Sequence, residues 1–408
     1  MMKRRDFLIA GGAMAASVGL GSTLAGVVAP SDRIGIGVIG TGVRGKLLMK
    51  HMRKVPMLRL EAYCDVLPFH LEDAGSKVDS SARAYSDHRK LLDNKAVQAV
   101  IVATHFSEHQ RVVLNALDAG KHVYCEKTMT KGIAGTRQVF DAAQDRPGQI
   151  FQTGYQYRSS PLYNAAASMI ANGDIGPITA INCQWNRNGN WRRPVPDPKW
   201  ERQINWRMYR EYSSGLVAEL CSHQMDFCDR VIGSELQQIQ GVGGIDYWKD
   251  GRETYDNVHV ISRYASGVTA TFSSQTTNSL GKYRIAVLGR KGSVILTTRN
   301  GWFVPESAAT EVPAEFDAMS GATLVVGPEQ GYSTVDEGSM KRINAPDDDP
   351  TQIALEKFAE AIRDNHQPAS NVVTGAKASV MVQMAIDAMD RQQVIPWSSE
   401  YDFAHKAG

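Results

Sequence analysis

The chain has 408 residues, too many for one ordinary domain and suited to two, with 43% hydrophobic and 22% charged residues, the proportions of a globular protein with ample core. Its formal net charge is +2, and Lys3, Arg4 and Arg5 set against Asp6 account for all of it. The remainder balances to zero, so nothing in it attracts nucleic acid or an anionic membrane.

Residues 1–30 stand apart from the fold. A basic region with the pair Arg4-Arg5 precedes an uncharged run over residues 9–29, rich in Ala, Gly, Leu, Val and Met. The run is nearly long enough to span a bilayer. Its glycines and alanines make it weakly hydrophobic, and with the arginine pair it reads as a twin-arginine export signal. The expectation is an exported or periplasmic protein without a stable membrane anchor after processing, cut after Ala25 or Ala29. Pro30 disfavours the second site. Five cysteines (Cys64, Cys125, Cys183, Cys221, Cys228) cannot all pair, and in apolar contexts they read as buried free thiols.

A buried parallel strand over residues 33–39 runs into Gly40-Thr41-Gly42-Val43-Arg44-Gly45, and Leu47, Leu48 and Met52 then mark a helix. Between a strand and a helix, this fingerprint predicts dinucleotide binding. Gly40 makes the tight turn, Gly42 admits a pyrophosphate, Gly45 lets the helix pack on the strand, and the helix N-terminus faces the phosphates. A second strand, 58–64, ends in Asp65, about twenty residues past the last glycine, where an acid binds the adenosine ribose hydroxyls. Its carboxylate repels a 2′-phosphate and favours NAD over NADP, an effect Arg44 offsets in part. The alternative for Asp65 is a strand-end turn residue.

Helix and strand keep alternating over 87–93, 99–103, 107–119, 122–125, 133–145 and 150–153. That pattern is doubly wound α/β, a Rossmann domain over residues 31–153. At one strand end lies Thr104-His105-Phe106-Ser107-Glu108-His109, from which His105 and His109 can reach the nicotinamide half of a dinucleotide. At the next, a helix stopped by Gly120 leads through a short strand to Glu126-Lys127, an acid–base pair at the carboxyl edge where ligands bind.

These pieces together resemble the Gfo/Idh/MocA family of oxidoreductases. The matching residues are Gly40 to Gly45, Ala103-Thr104 with His109, and Gly120-Lys121-His122-Val123 running into Cys125-Glu126-Lys127. The family's usual Glu-Lys-Pro stands here as Glu126-Lys127-Thr128, without the rigid turn of a proline. The resemblance implies that Thr104 and Glu126 lie at the cofactor. It also implies that Lys127 touches the nicotinamide ribose and helps move the proton of the reacting hydroxyl.

For residues 154–408 the resemblance implies an α+β domain with a large, mainly antiparallel sheet, its last helices packing back, and a homo-oligomer formed through that sheet. Strand patterns over 178–186, 237–243, 257–265, 268–275, 283–288 and 293–297 agree, with Ser266-Gly267 as a hairpin turn. The stretch 152–158 leads out of the first domain and lines the cleft, Gln156 toward cofactor and Arg158 toward substrate. On a helix over 215–232, Glu219, His223 and Asp226 share one face by α-helical spacing. The family's Asp-x-x-x-His matches Glu219-x-x-x-His223, which implies His223 as the general acid and base, Glu219 as the carboxylate that orients or charge-stabilises it and Asp226 as a substrate contact. No metal is expected. The 187–210 loop holds Trp191, Arg192, Trp200, Trp206 and Arg207, suited to stacking on sugar rings and donating to hydroxyls. Residues 305–350 show little periodicity, and helices follow over 349–365 and 376–391.

The expectation is an exported enzyme that acts on a carbohydrate or glycoside with a captive NAD, reoxidised in place. One scheme oxidises one sugar and reduces another; a second oxidises a glycoside transiently, eliminates the aglycone, adds water and returns the hydride. A third reading is a sugar-binding protein that merely retains NAD.

Overall fold

A computed structural model describes residues 33–78, 81–306, 314–317, 322–325 and 340–403; the expected leader lies outside them, as does much of the 305–350 stretch. The first domain is built from β1 (Ile34–Ile39), α1 (Val43–Met52), β2 (Leu58–Cys64), α2 (Pro68–Gly75), β3 (Arg83–Tyr85), α3 (His88–Leu92), β4 (Ala99–Val102), α4 (Phe106–Asp118), β5 (His122–Cys125), α5 (Ile133–Gln144) and β6 (Phe151–Thr153). All residues of β1 and β4 are buried, as strands covered on both faces must be. The sheet is parallel in the order β3-β2-β1-β4-β5-β6, which reverses direction between β1 and β4. Ligands of such sheets bind at that switch point, outside the carboxyl ends of the strands.

The second domain continues with α6 (Pro161–Ala171), β7 (Ile178–Trp185), α7 (Glu201–Ile204), α8 (Ser222–Ile232), β8 (Leu236–Gly244), β9 (Asn257–Tyr264), β10 (Thr269–Gln275), β11 (Tyr283–Gly289), β12 (Gly292–Leu296) and β13 (Gly301–Pro305). A two-stranded ribbon, β14 (Ala314–Asp317) and β15 (Ala322–Val325), is followed by β16 (Lys341–Arg342), α9 (Pro350–Asp364), α10 (Val372–Arg391) and β17 (Ile395–Pro396). Nine strands form one sheet, β16-β13-β12-β11-β7-β10-β9-β8-β17, antiparallel throughout except for the β7–β10 pair. β9 alternates strictly: Val258, Val260 and Tyr264 face the core while His259, Ile261 and Arg263 face out. One sheet face is therefore covered by helices and the other is open.

Two departures from the pattern reading have local causes. Helix α10 begins at Val372 rather than at 376, because Asn371 caps it by accepting from Val373 N and Thr374 N. Gly375, which reads as a boundary, lies inside the helix; a Cβ there would collide with the Thr153 hydroxyl and the Met129 sulfur. The expected single α-helix over 215–232 is split, with Val217–Cys221 in the wider π-helical turn before α8. Helix α9 packs back onto the first domain, the arrangement the resemblance implies for the last helices. Leu355, Phe358 and Ala359 are fully buried in the cluster that holds Ile36, Val38 and Leu48, and Phe358 meets Tyr124 edge to face. The five cysteines are buried and free, as expected, with Cys183 Sγ 3.7 Å from Cys228 Sγ.

Candidate active site

A cavity of about 940 Å³ lies between the carboxyl edge of the first sheet and the second domain. Its floor is the glycine turn. Gly40 adopts φ +93°, and a Cβ there would sit 2.6 Å from Ala103 O, so only glycine serves. Gly45 packs under the turn against the Gly40 carbonyl. Gly42 is the opposite case: a Cβ there would meet only His70 Cε1, at 3.9 Å, and it caps α1 with no side-chain hydrogen bond, which leaves the helix N-terminus free to receive an anion. Of the rest of the fingerprint, Val43 and Arg44 line the cavity, and Thr41 is fully buried beneath it. A pyrophosphate fits this cradle.

Asp65 lines the cavity, but its oxygens do more than await a ribose. Oδ2 accepts from Thr41 N (2.7 Å) and Thr41 Oγ1 (3.2 Å), and Oδ1 accepts from Leu67 N (2.9 Å). His70 Nδ1 stands 3.3 Å from Oδ2. Burial pushes the carboxyl up, yet hydrogen bonds from His70, Leu67 and Thr41 outweigh it and hold the group below its ordinary value. Asp65 thus also holds the glycine turn in shape. Arg44 Nε donates to Glu126 Oε1 at 2.7 Å across the cavity floor, which commits part of the guanidinium expected to soften the repulsion of a 2′-phosphate, while its Nη2 has no partner among the described residues.

Above that floor, the Lys127 ammonium donates to Glu219 O at 2.7 Å and Ala218 O at 3.4 Å, carbonyls of the π-helical turn, and lies 5.8 Å from the Phe106 ring centre. Burial pushes this ammonium down from its ordinary value, with Glu219 and Glu126 opposing. The Lys127–Thr128 peptide is cis. The Ala218 carbonyl also accepts from Thr128 Oγ1 (3.2 Å) and Ser222 Oγ (2.7 Å). The unusual turn therefore binds the strand end of the first domain to the helix of the second.

His223 sits in an aromatic cage, with ring centres of Tyr157, Tyr155 and Trp185 at 5.3, 5.6 and 5.8 Å. Its Nδ1 is buried without a partner, and burial, then Lys127 and Arg44, push the imidazole well below its ordinary pKa. The ring is neutral and able to accept a proton. Glu219 does not orient it by the expected hydrogen bond: Oε2 pairs with Arg207 Nε at 3.1 Å, and Oε1 is buried without a partner. Both residues line the cavity together with Lys127.

Other expected residues divide. Thr104, His105, Glu126, Gln156, Trp191 and Arg192 line the cavity. His105 is bonded to Ser107 Oγ at 2.9 Å and pushed down to about 4 by burial. His109 is a correction. Fully buried, it sits between two strand-end loops with Nδ1 2.9 Å from Thr128 O and Nε2 3.1 Å from Thr104 O, its single N–H donating to one of these carbonyls, rather than facing a nicotinamide. Arg158 and Asp226 are another. Arg158 Nε donates to both carboxylate oxygens of Asp226, at 2.8 and 2.9 Å, in a buried pair outside the cavity lining. Asp226 shares a face of α8 with His223 but lies a turn further along, where it meets Arg158 and not the cavity. Arg192 lines the cavity but is held by Asp250 (3.0 Å) and Glu201. Sequence reasoning missed Gln203, whose buried Oε1 has no partner among the described residues, and Trp185; both line the cavity.

Comparison with known proteins agrees with this geometry. Residues 34–155 match a family model described as "Oxidoreductase family, NAD-binding Rossmann fold", and residues 163–295 match "GFO/IDH/MocA C-terminal domain". The levoglucosan dehydrogenase of Pseudarthrobacter phenanthrenivorans is 22% identical over 335 residues, 74% of this chain and 82% of that protein. The myo-inositol 2-dehydrogenase of Thermotoga maritima is 25% identical over 264 residues, 64% of this chain and 74% of that protein. Among solved structures, a levoglucosan dehydrogenase complex with NADH superposes with a TM-score of 0.71 at 18% identity, covering 89% of this chain and 99% of the other. The aldose-aldose oxidoreductase of Caulobacter crescentus, complexed with glycerol, gives 0.69 at 20% identity, covering 90% and 100%.

Proposed function

The chain belongs to the Gfo/Idh/MocA family of NAD-binding oxidoreductases, and from that premise we propose that it oxidises a carbinol of a sugar or glycoside while keeping its cofactor bound through many turnovers. The supporting observation is that Lys127, Glu219 and His223 share one cavity with the glycine turn. Bound NAD supplies the two-electron acceptor for the hydride that leaves the carbinol carbon. His223, a neutral imidazole, takes the hydroxyl proton. Lys127, fixed by the Glu219 carbonyl, donates a hydrogen bond to the same oxygen as it becomes a carbonyl. The rings around His223 keep water from the proton it has taken.

Export through the twin-arginine leader belongs to the same proposal, and with it the need to return the hydride within the site, to a second sugar. A second reading, redox-neutral glycoside cleavage, draws on Glu219 Oε1, an unpartnered acceptor in the His223 cavity able to handle the further proton that elimination requires. The test incubates purified full-length protein with free sugars and with aryl glycosides, without added NAD. A lactone or keto-sugar together with a reduced sugar supports the two-sugar oxidoreductase, and released phenol supports the glycosidase. Protein that carries no nucleotide, binds none and turns over neither overturns both.

A further inference from the structure

Four arginines of the second domain line the cavity: Arg187, Arg192, Arg193 and Arg207. Arg207 is neutralised by Glu219, and Arg192 by Asp250 and Glu201. Arg187 and Arg193 have no carboxylate partner among the described residues. Both are exposed where they line the cavity, but the chain around each is fixed. The Arg187 guanidinium lies over the indoles of Trp185 (5.3 Å) and Trp191 (5.9 Å), and Trp191 is held at φ +63°, in the left-handed region that bulky residues avoid. Stacking engages the faces of a guanidinium and leaves its in-plane N–H donors free, the geometry that grips a carboxylate or sulfate with two parallel bonds. The backbone of Arg193 is pinned on both sides by Asn205, which accepts from Arg193 N (2.8 Å) and donates to Arg193 O (3.1 Å). Burial pushes both guanidinium groups down from their ordinary pKa; in each case Glu219, already paired with Arg207, opposes the shift and Arg207 adds to it.

We infer that the sugar taken by this site carries a negative charge, a carboxylate or a sulfate ester, received by the in-plane donors of Arg187 and Arg193. This rests on the sugar-oxidoreductase reading and narrows its substrate class. A neutral sugar closing on these residues would strip water from two cations and offer only hydroxyl oxygens in return. An anionic group replaces that water with charge-assisted hydrogen bonds.

The test uses NAD-loaded full-length protein and three probes: an aryl glucoside, the matching aryl glucuronide and the matching 6-sulfated glucoside. Turnover is followed as kcat/KM, and binding as tryptophan fluorescence. One of the charged probes is expected to exceed the neutral one by on the order of tenfold to hundredfold in kcat/KM, mostly through KM, and which one does so distinguishes carboxylate from sulfate. Arg187→Met and Arg193→Met should each shrink that ratio, as should added salt. Equal or better kcat/KM for the neutral glucoside, with a ratio unmoved in both variants, overturns the anionic substrate and leaves the oxidoreductase reading standing. If no probe is bound or turned over, both fall.

Discussion

Replacing Lys127 by methionine separates the chemistry of the site from its construction. Methionine retains most of the aliphatic stem and removes the ammonium, so Glu219 O loses its donor at 2.7 Å. Ala218 O keeps Ser222 Oγ at 2.7 Å and Thr128 Oγ1 at 3.2 Å. One buried carbonyl deprived of a partner costs about 1–3 kcal/mol. That loss is offset because an ammonium whose burial already depresses its pKa need no longer be desolvated. The net change in stability should stay within about 2 kcal/mol, a shift in Tm of only about a few degrees for a chain of this size. Turnover should respond far more. A donor aimed at an oxygen whose charge changes in the transition state is worth roughly 10²–10³ in rate, or about 3–4 kcal/mol of barrier. The assay is single-turnover reduction of bound nicotinamide on addition of sugar, followed by its absorbance, beside a thermal melt of the same preparation. A rate within tenfold of the parent, with the melt unchanged, would falsify the role given to Lys127.

Three further outcomes follow from the geometry. Because burial holds the folded pKa of His223 below 6.5, turnover should persist as pH falls through 6.5 and decline only below it; an acid limb centred at or above 6.5 in the pH–rate profile would contradict a buried neutral ring. By the same sign the unfolded chain takes up this proton first, so the contribution of His223 to stability is complete above 6.5 and is lost as pH falls toward the folded pKa. Asp65→Asn weakens the charge-assisted bonds to Thr41 and Leu67 and should cost NAD affinity roughly tenfold to hundredfold by nucleotide titration; unchanged affinity would show that the carboxylate does not shape the turn. Arg158→Leu strands the buried Asp226 carboxylate and should cost about 3–5 kcal/mol in urea denaturation, most of it recovered by adding Asp226→Leu. A cost below about 1 kcal/mol in the single variant would mean that water reaches the pair.

What the sequence made legible was what short chain segments decide. The glycine turn, Asp65 at the end of β2, the Gly120 stop before β5 and the alternation of β9 each depend on neighbours in sequence. The long-range pairings were not legible. Nothing in the local chain tells Arg158 that it will meet Asp226, sixty-eight positions away, rather than a substrate. Nor does it say that Arg44 will cross the floor to Glu126. The π-helical turn has no compositional mark, so the stretch 215–232 reads as one α-helix. His109 misled for another reason: a histidine near a strand end looks available, and only the enclosed structure shows a backbone carbonyl already at each of its ring nitrogens. Gly375 read as punctuation because its real purpose, close approach to Thr153 and Met129, lies across the domain boundary.

The return of α9 to the first domain has a consequence for biosynthesis. A ribosome delivers the glycine turn early and the helix that completes its hydrophobic underside last. Until Leu355 and Phe358 emerge, the strands beneath the nucleotide cradle are left facing water on one side. Capture of the dinucleotide therefore waits for nearly the whole polypeptide, and a chain stopped short of residue 350 should leave the ribosome both empty and prone to aggregate.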